Sequence, residues 1–194
     1  VAAVAFGLLV GGILGAVAGF FGGMVDNAIM RACDVFLAVP MMLMAIVIVA
    51  ALGASITNLV VALAISSVPT FARIVRSAVL GVRDMEYVEA ARAVGVKTGR
   101  TIARYILPNC MGPIIVQTTL RIAATISNTA ALSFLGLGVK PPQPEWGALL
   151  SSGREFIRDS AYLACIPGVC IMLTILALNL LGDGLRDALD PRLK

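Results

Sequence analysis

Long apolar runs separated by short polar segments dominate the hydropathy pattern of this chain. Residues 1–25, 35–72 and 160–182 contain no charge, and each run reaches the roughly 20 residues that a helix needs to cross a bilayer. The run 35–72 is too long for one crossing, and the turn-forming residues GASITN at 53–58 divide it. The pattern therefore predicts five membrane spans, which are residues 1–21, 35–52, 57–79, 111–132 and 161–181.

Composition places these helices in a membrane protein. Hydrophobic residues make up 59% of the 194 residues, charged residues make up 13%, and the mean hydropathy is +0.97, which exceeds what a soluble core needs. We therefore expect an all-α, polytopic membrane helical bundle. Because the chain begins without Met, inside an apolar run and with no visible signal peptide, we expect it to be a fragment.

The residue types that hold metals are scarce. The four cysteines form no C-x-x-C pair, and all but Cys110 lie in apolar surroundings, so we expect packing residues rather than metal ligands or disulfides. The chain has no His, the commonest metal ligand, and we expect no metal site. The formal net charge of +4 bears on membrane orientation rather than on nucleic-acid binding.

Glycines and prolines are placed at specific points in the predicted spans. Five glycines recur every fourth residue and would form a ridge without side chains on one helix face, which predicts the close approach of another helix. These are Gly7, Gly11, Gly15, Gly19 and Gly23. Pro40 and Pro69 are expected to kink the second and third spans, and Pro113 suits the first turn of the fourth.

Charges are distributed unequally between the two sides of the membrane. The segment 72–108 carries seven basic and three acidic residues, whereas 134–160 carries three of each sign. Since basic loops stay in the cytoplasm, we expect residues 84–108 and the C-terminus inside the cell and residue 1 outside.

Residues 84–108 carry the signals of two short helices. Asp84 can cap a first helix that ends at Gly95, and acids early with Arg92 late suit the helix dipole. A second helix is expected from Thr98 to Leu107, because Pro108 cannot continue it. An apolar strip is expected at Met85, Val88, Ala91 and Val94. Such a helix could also simply rest at the membrane interface.

The spacing Glu89-Ala90-Ala91, then Gly95, then Leu107-Pro108 resembles the EAA motif of importer-type ABC transporter permeases. The resemblance implies that 84–108 is the cytoplasmic coupling region, which binds in a groove of a separate ATPase subunit. The coupling residues that it implies are Glu86, Glu89, Ala90, Ala91, Gly95, Leu107 and Pro108. Tyr105 departs from the motif, which has Ile at that position.

Three further stretches, 22–40, 132–156 and 179–194, are similar to the C-type subunit of dipeptide, oligopeptide and nickel permeases. The resemblance covers the whole chain, 1–194, as one type I ABC importer permease domain. It implies six spans in the full-length protein, with the N-terminal tail and first span missing here, and a prokaryotic cytoplasmic membrane. The implied partners are a B-type permease subunit, two ATPase subunits and an extracytoplasmic substrate-binding protein.

The chain lacks the nucleotide-binding pattern G-x-x-x-x-G-K-[ST], so we expect it to bind no cofactor and to be no enzyme. ATP and magnesium would be used by the partner ATPases. The cargo stays open among dipeptides, longer peptides, glutathione-like compounds, nickel complexes and some sugars, all of which permeases of this appearance carry.

Arg121 lies near the middle of the fourth predicted span, where a charge costs roughly 2.5–3.5 kcal/mol on insertion scales. It could face a wet translocation path and meet substrate carboxylates, or it could pair at an interface with a second subunit. The polar residues near it on the same helix, which would share the path, are Gln117, Thr118, Thr125 and Asn128.

The predicted outer loop is rich in proline. Pro141, Pro142 and Pro144 stiffen it, and Trp146 supplies an amphipathic ring. Two interpretations fit: a surface that binds the substrate-binding protein, or a rigid plug at the outer end of the bundle.

Two other functional classes fit the sequence less well. An ion-coupled secondary transporter or channel needs intramembrane acids or a selectivity filter, and no acid lies in the middle of a predicted span. An intramembrane aspartyl protease needs a second intramembrane Asp besides the GDG at 182–184. The ABC importer permease is therefore the leading hypothesis.

Overall fold

The computed structural model describes residues 1–139 and 142–189, and all regular structure within these residues is helical. The first five helices are α1 (Ala2–Phe21), α2 (Gly23–Leu37), α3 (Met41–Leu52), α4 (Ile56–Leu80) and α5 (Glu86–Ala93). They are followed by α6 (Thr98–Thr101), a π-helical turn (Ile102–Ile106), a 3-10 turn (Leu107–Cys110) and α7 (Met111–Phe134). The last elements are α8 (Trp146–Gly153), a 3-10 turn (Arg154–Phe156) and α9 (Tyr162–Leu189).

The glycine ridge of α1 packs against α4, as the sequence predicts. A Cβ on Gly7 would lie 2.7 Å from the Ser67 Cβ, and one on Gly19 would lie 2.9 Å from the Val79 Cβ. Contacts move toward the C-terminus of α4 as they move toward the C-terminus of α1, so the two helices run parallel. The two backbones approach so closely that no side chain fits between them.

Gly23 does not belong to this ridge, so that part of the prediction is wrong. Its φ is +55°, and a Cβ at this position would have no atom within 4 Å. With Gly22, at φ +65°, it forms the left-handed turn that separates α1 from α2.

The second predicted span is a broken helix pair, not one helix over 35–52. α2 already begins at Gly23 and includes charged residues, and the chain bends by 77° between α2 and α3. The break falls at Pro40, which caps α3 and cannot donate a backbone hydrogen bond to α2. The predicted effect of Pro40 is therefore confirmed. α4 continues through Pro69 as one helix, and the kink expected there stays a prediction.

The turn predicted at 53–58 is confirmed, and its polar residues have specific partners. The Ser55 hydroxyl caps α4 by accepting a hydrogen bond from the Asn58 N–H at 3.1 Å. The Asn58 amide donates to the carbonyls of Leu52 at 2.7 Å and Gly53 at 2.9 Å, which ends α3.

Among the described residues, α1, α4 and α9 are each long and apolar enough to cross a membrane, and the bent pair of α2 and α3 would be a fourth crossing. α7 has 24 residues and packs antiparallel to α9, with Gly112 near Leu189 at one end and Ala130 sharing a cavity with Ile171 at the other. It therefore runs alongside α9 through the same layer, and it corresponds to the fourth predicted span, 111–132. Within the described residues α9 extends to Leu189, eight residues beyond the predicted end.

Gly15→Ala should destabilise the protein, because the added methyl group would overlap the backbone carbonyl of Ala72 on α4. We expect a loss of about 1–3 kcal/mol in the free energy of unfolding in detergent. The control is Gly12→Ala on the same helix, where a Cβ meets nothing within 4 Å and the change should be below about 1 kcal/mol. Equal losses for the two variants would contradict this packing.

Candidate functional site

α5 ends in the glycine motif that the sequence predicts. Gly95 has a φ of +80°, its N–H donates to the Arg92 carbonyl at 2.9 Å, and the Val96 N–H donates to the Ala91 carbonyl at 3.1 Å. This pair of bonds is the Schellman motif, which requires a left-handed residue at the position of Gly95. The chain therefore turns sharply away from α5 immediately after the helix.

The start of α5 differs from the prediction. Its N-cap is Met85, no side chain caps it, and Asp84 instead pairs with Arg83 at 3.1 Å. The proposed cap at Asp84 is wrong because the carboxylate lies one residue too early and has a cation beside it.

One side of α5 is anchored in the membrane bundle. Val88 is fully buried and Ala91 is 5% exposed, whereas Met85 and Val94 are exposed, so only half of the predicted apolar strip is buried. Val88 belongs to a buried cluster that joins the ends of α1, α4 and α7, whose other members are Ala16, Val75, Val79, Ile106, Cys110 and Ile114. α5 is therefore in direct packing contact with the ends of three spans.

Two arginines reinforce this anchor. The guanidinium of Arg92 lies 4.8 Å above the ring centroid of Phe20 at the end of α1. Arg83 donates to the carbonyl of Gly19 at 2.9 Å, which satisfies a backbone acceptor in the last turn of the same helix.

The coupling residues implied by the resemblance divide into two groups. Glu86, Glu89, Ala90 and Gly95 are exposed, with no atom within 4 Å of a Cβ built on Gly95. Ala91 faces the bundle, and Leu107 packs against the buried cluster and lines an apolar groove beside α1. Pro108 is exposed in the 3-10 turn. Their coupling role stays a prediction.

The second predicted helix does not stop at Leu107. The chain stays helical through the π turn and the 3-10 turn and enters α7 at Met111. Pro108 is tolerated because it lies at the start of the 3-10 turn, where its missing N–H removes no hydrogen bond. Pro113 lies in the first turn of α7, as predicted.

The polar residues of α7 do not all reach the same place. The Arg121 guanidinium and the Asn128 amide approach the thioether of Met41, at 3.5 and 4.0 Å. Gln117 lines a separate cavity of about 490 Å³ beside Arg186 of α9. The remaining two hydroxyls, of Thr118 and Thr125, donate to carbonyls of their own helix at 2.7 Å. Their role in a path stays a prediction.

The proline-rich segment between α7 and α9 contains a helix, α8, that the sequence did not predict. Glu145 caps α8 with both carboxylate oxygens, which accept from the Gly147 and Ala148 N–H groups at 3.2 and 3.0 Å. Pro144 and Trp146 line a cavity of about 420 Å³ between α8 and α7, Pro142 is exposed, and Pro141 lies outside the described residues. Gly147 lies against Ala130, and Gly153 lies against Leu163, so α8 is fixed between α7 and α9.

Two ion pairs between α2 and α4 were also missed. Asp26 accepts from two nitrogens of Arg76 in a partly buried pair, and Asp34 accepts from Arg73 at 2.7 Å in an exposed one. The only available signal was the presence of opposite charges on segments about 40–50 residues apart, and this does not predict which residues meet.

These features define a polytopic helical membrane protein with an exposed, anchored helix between its spans. A chain of the MetNI methionine ABC transporter, solved in inward-facing conformations, has the same fold with a TM-score of 0.74 at 18% identity, covering 97% of this chain and 89% of that chain. A chain of an amino acid ABC transporter crystallised with histidines aligns with a TM-score of 0.67 at 20% identity, over 97% and 87% of the two chains. The fold is that of ABC importer permeases.

The chain belongs to the family of binding-protein-dependent transport system inner membrane components, which matches residues 11–194. It is 50% identical to the dipeptide transport system permease protein DppC of Alkalihalophilus pseudofirmus, over 99% of this chain and 63% of that protein. The di/tripeptide transport system permease protein DppC of Pseudomonas aeruginosa is 48% identical, over 98% of this chain and 63% of that protein. The glutathione transport system permease protein GsiD of Pectobacterium atrosepticum is 47% identical, over 97% and 62%. The chain thus spans somewhat under two thirds of these relatives.

Single cysteines on α5 should react at rates set by its orientation. In a background with the native cysteines replaced, Ala90→Cys and Ala93→Cys should react with a maleimide at least tenfold faster than Ala91→Cys, because only position 91 is buried. The measurement is the rate of fluorescent labelling in detergent. Similar rates at positions 90 and 91 would rule out the anchored face.

Burial raises the pKa of the Cys110 thiol, which lies just before α7. Less thiolate is therefore present at a given pH than at an exposed cysteine, and the thiolate is the reactive form. As sole cysteine, Cys110 should show a pH profile of alkylation displaced to higher pH relative to sole-cysteine Ala90→Cys. Coincident profiles would contradict the buried position.

Proposed function

We propose that this chain is the permease subunit of an ATP-driven importer, and that the exposed face of α5 is where a separate ATPase subunit binds. The observation that carries the proposal is the two-sided character of α5. Its Glu86, Glu89 and Ala90 side is exposed, while Val88 and Ala91 are buried on the opposite side.

The exposed side has the chemistry of a small interface. Alanines at positions 90 and 93 permit close approach of a partner surface, and the two carboxylates can pair with basic or hydroxyl groups there. The left-handed turn at Gly95 keeps the following chain from covering this side. The family resemblance of Glu89-Ala90-Ala91 and Gly95 supports the same assignment.

The buried side supplies the transmission. Val88 packs among residues of α1, α4 and α7, and Arg92 stacks on Phe20 of α1. When ATP draws two ATPase subunits together, displacement of α5 would rotate these spans as a unit. ATP can bias the equilibrium only if the closed ATPase dimer binds one arrangement of the spans better than the other.

The assembly that this mechanism needs contains more than one chain. We propose a second permease subunit of the B type, two ATPases that bind ATP and magnesium, and an extracytoplasmic substrate-binding protein. α8, with Pro142, Pro144 and Trp146 near its start, is the proposed contact for the binding protein. Because α8 packs between α7 and α9, binding of that protein to α8 would also act on these two helices.

The proposed orientation places α5 in the cytoplasm. The basic excess of 72–108 supports it, because positively charged loops remain inside. Residue 1 is then at the outer side, and the C-terminal end of α9 is cytoplasmic.

The proposed cargo is a small peptide or peptide-like acid. The relatives named for dipeptide, di/tripeptide and glutathione transport support this class.

The decisive experiment is reconstitution of the full complex in vesicles, with uptake measured with and without ATP and with and without an ion gradient. Uptake driven by an ion gradient without ATP would refute the proposal.

Gly95→Trp should leave the protein inserted but reduce ATP-driven uptake at least tenfold, because the indole would occupy space that the ATPase needs. Within this chain the site is open, since a Cβ at Gly95 meets nothing within 4 Å. Uptake and ATP hydrolysis are measured together in the reconstituted complex.

Two further variants separate bulk from backbone strain. Gly95→Ala introduces the strain of a positive φ, about 1–2 kcal/mol, without the bulk. Gly99→Trp adds the same ring at an exposed glycine four residues away that also has open space. Normal uptake by Gly95→Trp, or equal losses in all three variants, would count against the binding role of this face.

A further inference from the structure

Arg121 is a cation inside the bundle whose charge the described residues do not neutralise. Its guanidinium is half-buried, and no carboxylate within residues 1–139 and 142–189 lies within 4.0 Å of it. The hydrogen-bond acceptor that these residues offer the guanidinium is the Met41 thioether at 3.5 Å, and a thioether is a weak acceptor. By contrast, Arg73 and Arg76 on the neighbouring α4 each pair with an Asp of α2.

A second donor converges on the same methionine. The Asn128 amide nitrogen lies two turns further along α7, 4.0 Å from the Met41 sulfur, and also donates to the Ala124 carbonyl at 2.8 Å. Met41 is therefore flanked by a guanidinium and an amide, both of which donate hydrogen bonds to oxygen acceptors.

The backbone at Met41 also presents hydrogen-bond donors. Met41 begins α3 directly after the 77° break, and Pro40 provides no side-chain cap. The first backbone bond of α3 runs from the Met44 N–H to the Pro40 carbonyl at 3.0 Å, so the N–H groups of residues 41–43 have no partner inside the helix. The positive end of a broken membrane helix thus adjoins Arg121 near the middle of α7.

We infer that the joint formed by Arg121, Asn128 and the start of α3 binds a carboxylate of the transported molecule as it passes the centre of the membrane. The inference rests on the proposed function and adds to it the chemical group of the cargo that this site recognises. The planar fork of Arg121 suits two carboxylate oxygens, and Met41 is a flexible side chain that can move aside for them. A peptide carries this group at its C-terminus.

The test is a cycle that combines a variant of the protein with a variant of the cargo. The complex in nanodiscs, without its binding protein, is titrated with a labelled tripeptide and with the same tripeptide amidated at its C-terminus. The wild type should bind the acid about tenfold or more tightly than the amide. Arg121→Gln should abolish that difference, so that the two changes are strongly non-additive.

Two variants on the same helix complete the design. Arg121→Lys keeps the charge but loses the fork, and should retain part of the preference for the acid. Ser127→Ala lies on the side of α7 that faces Leu150 and Gly168, and should keep the full preference. Arg121→Gln that binds both peptides as the wild type does, or a wild type that does not distinguish them, overturns the inference.

Assembly and uptake are measured on the same preparations. A complex that loses its second permease subunit in both Arg121→Gln and Arg121→Lys, while peptide preference persists in what remains assembled, would make Arg121 an interface residue and overturn the inference. If the wild type shows no ATP-dependent uptake from the loaded binding protein, the proposed function itself fails. Normal uptake with no effect of Arg121 on acid preference defeats the carboxylate site alone.

Discussion

The contact between α1 and α4 is the constraint on which the other helices depend. A Cβ at Gly7 or Gly19 would meet atoms of α4 at 2.7 or 2.9 Å, so the two backbones touch along about three turns. In a bilayer, apolar side chains gain little by leaving lipid for another helix, whereas close backbone contact gains dispersion attraction along its whole length. This parallel pair gives α5 a rigid foundation, because Val79, Phe20 and Gly19 all lie at the end of the pair that is next to α5.

That foundation explains why a helix as short as α5 can be ordered. Eight residues have marginal stability alone, and α5 has no side-chain cap. Burial of Val88 and Ala91, the stacking of Arg92 on Phe20 and the Schellman turn at Gly95 replace the missing cap. The opposite side then needs no contact within the chain, which leaves its carboxylates and alanines available to a partner.

Charge is handled differently on the two sides of the bundle. Along α2 and α4, each Asp–Arg pair is satisfied within the chain, and the bidentate pair of Asp26 and Arg76 is the more buried of the two. At α7, the one hydrogen-bond acceptor of the Arg121 guanidinium among the described residues is the Met41 thioether. The first arrangement holds helices together, whereas the second leaves donors available where α2 and α3 break.

The sequence alone determined the first, third, fourth and fifth spans, the break at Pro40, the glycine face of α1, the turn at 53–58 and the end of α5 at Gly95, because each depends on residues close together in the chain. It did not determine which side of α5 is buried, the helical route from 98 to 111, or the α8 helix in the proline-rich loop. Within the membrane spans, lipid-facing and core-facing positions are equally apolar, so hydropathy cannot tell them apart. Only the tertiary structure decided that Ala91 faces inward while Ala90 faces outward, that Asp26 meets Arg76 across 50 residues, and that Arg121 reaches Met41 across 80, because such pairings arise from packing and leave no local pattern.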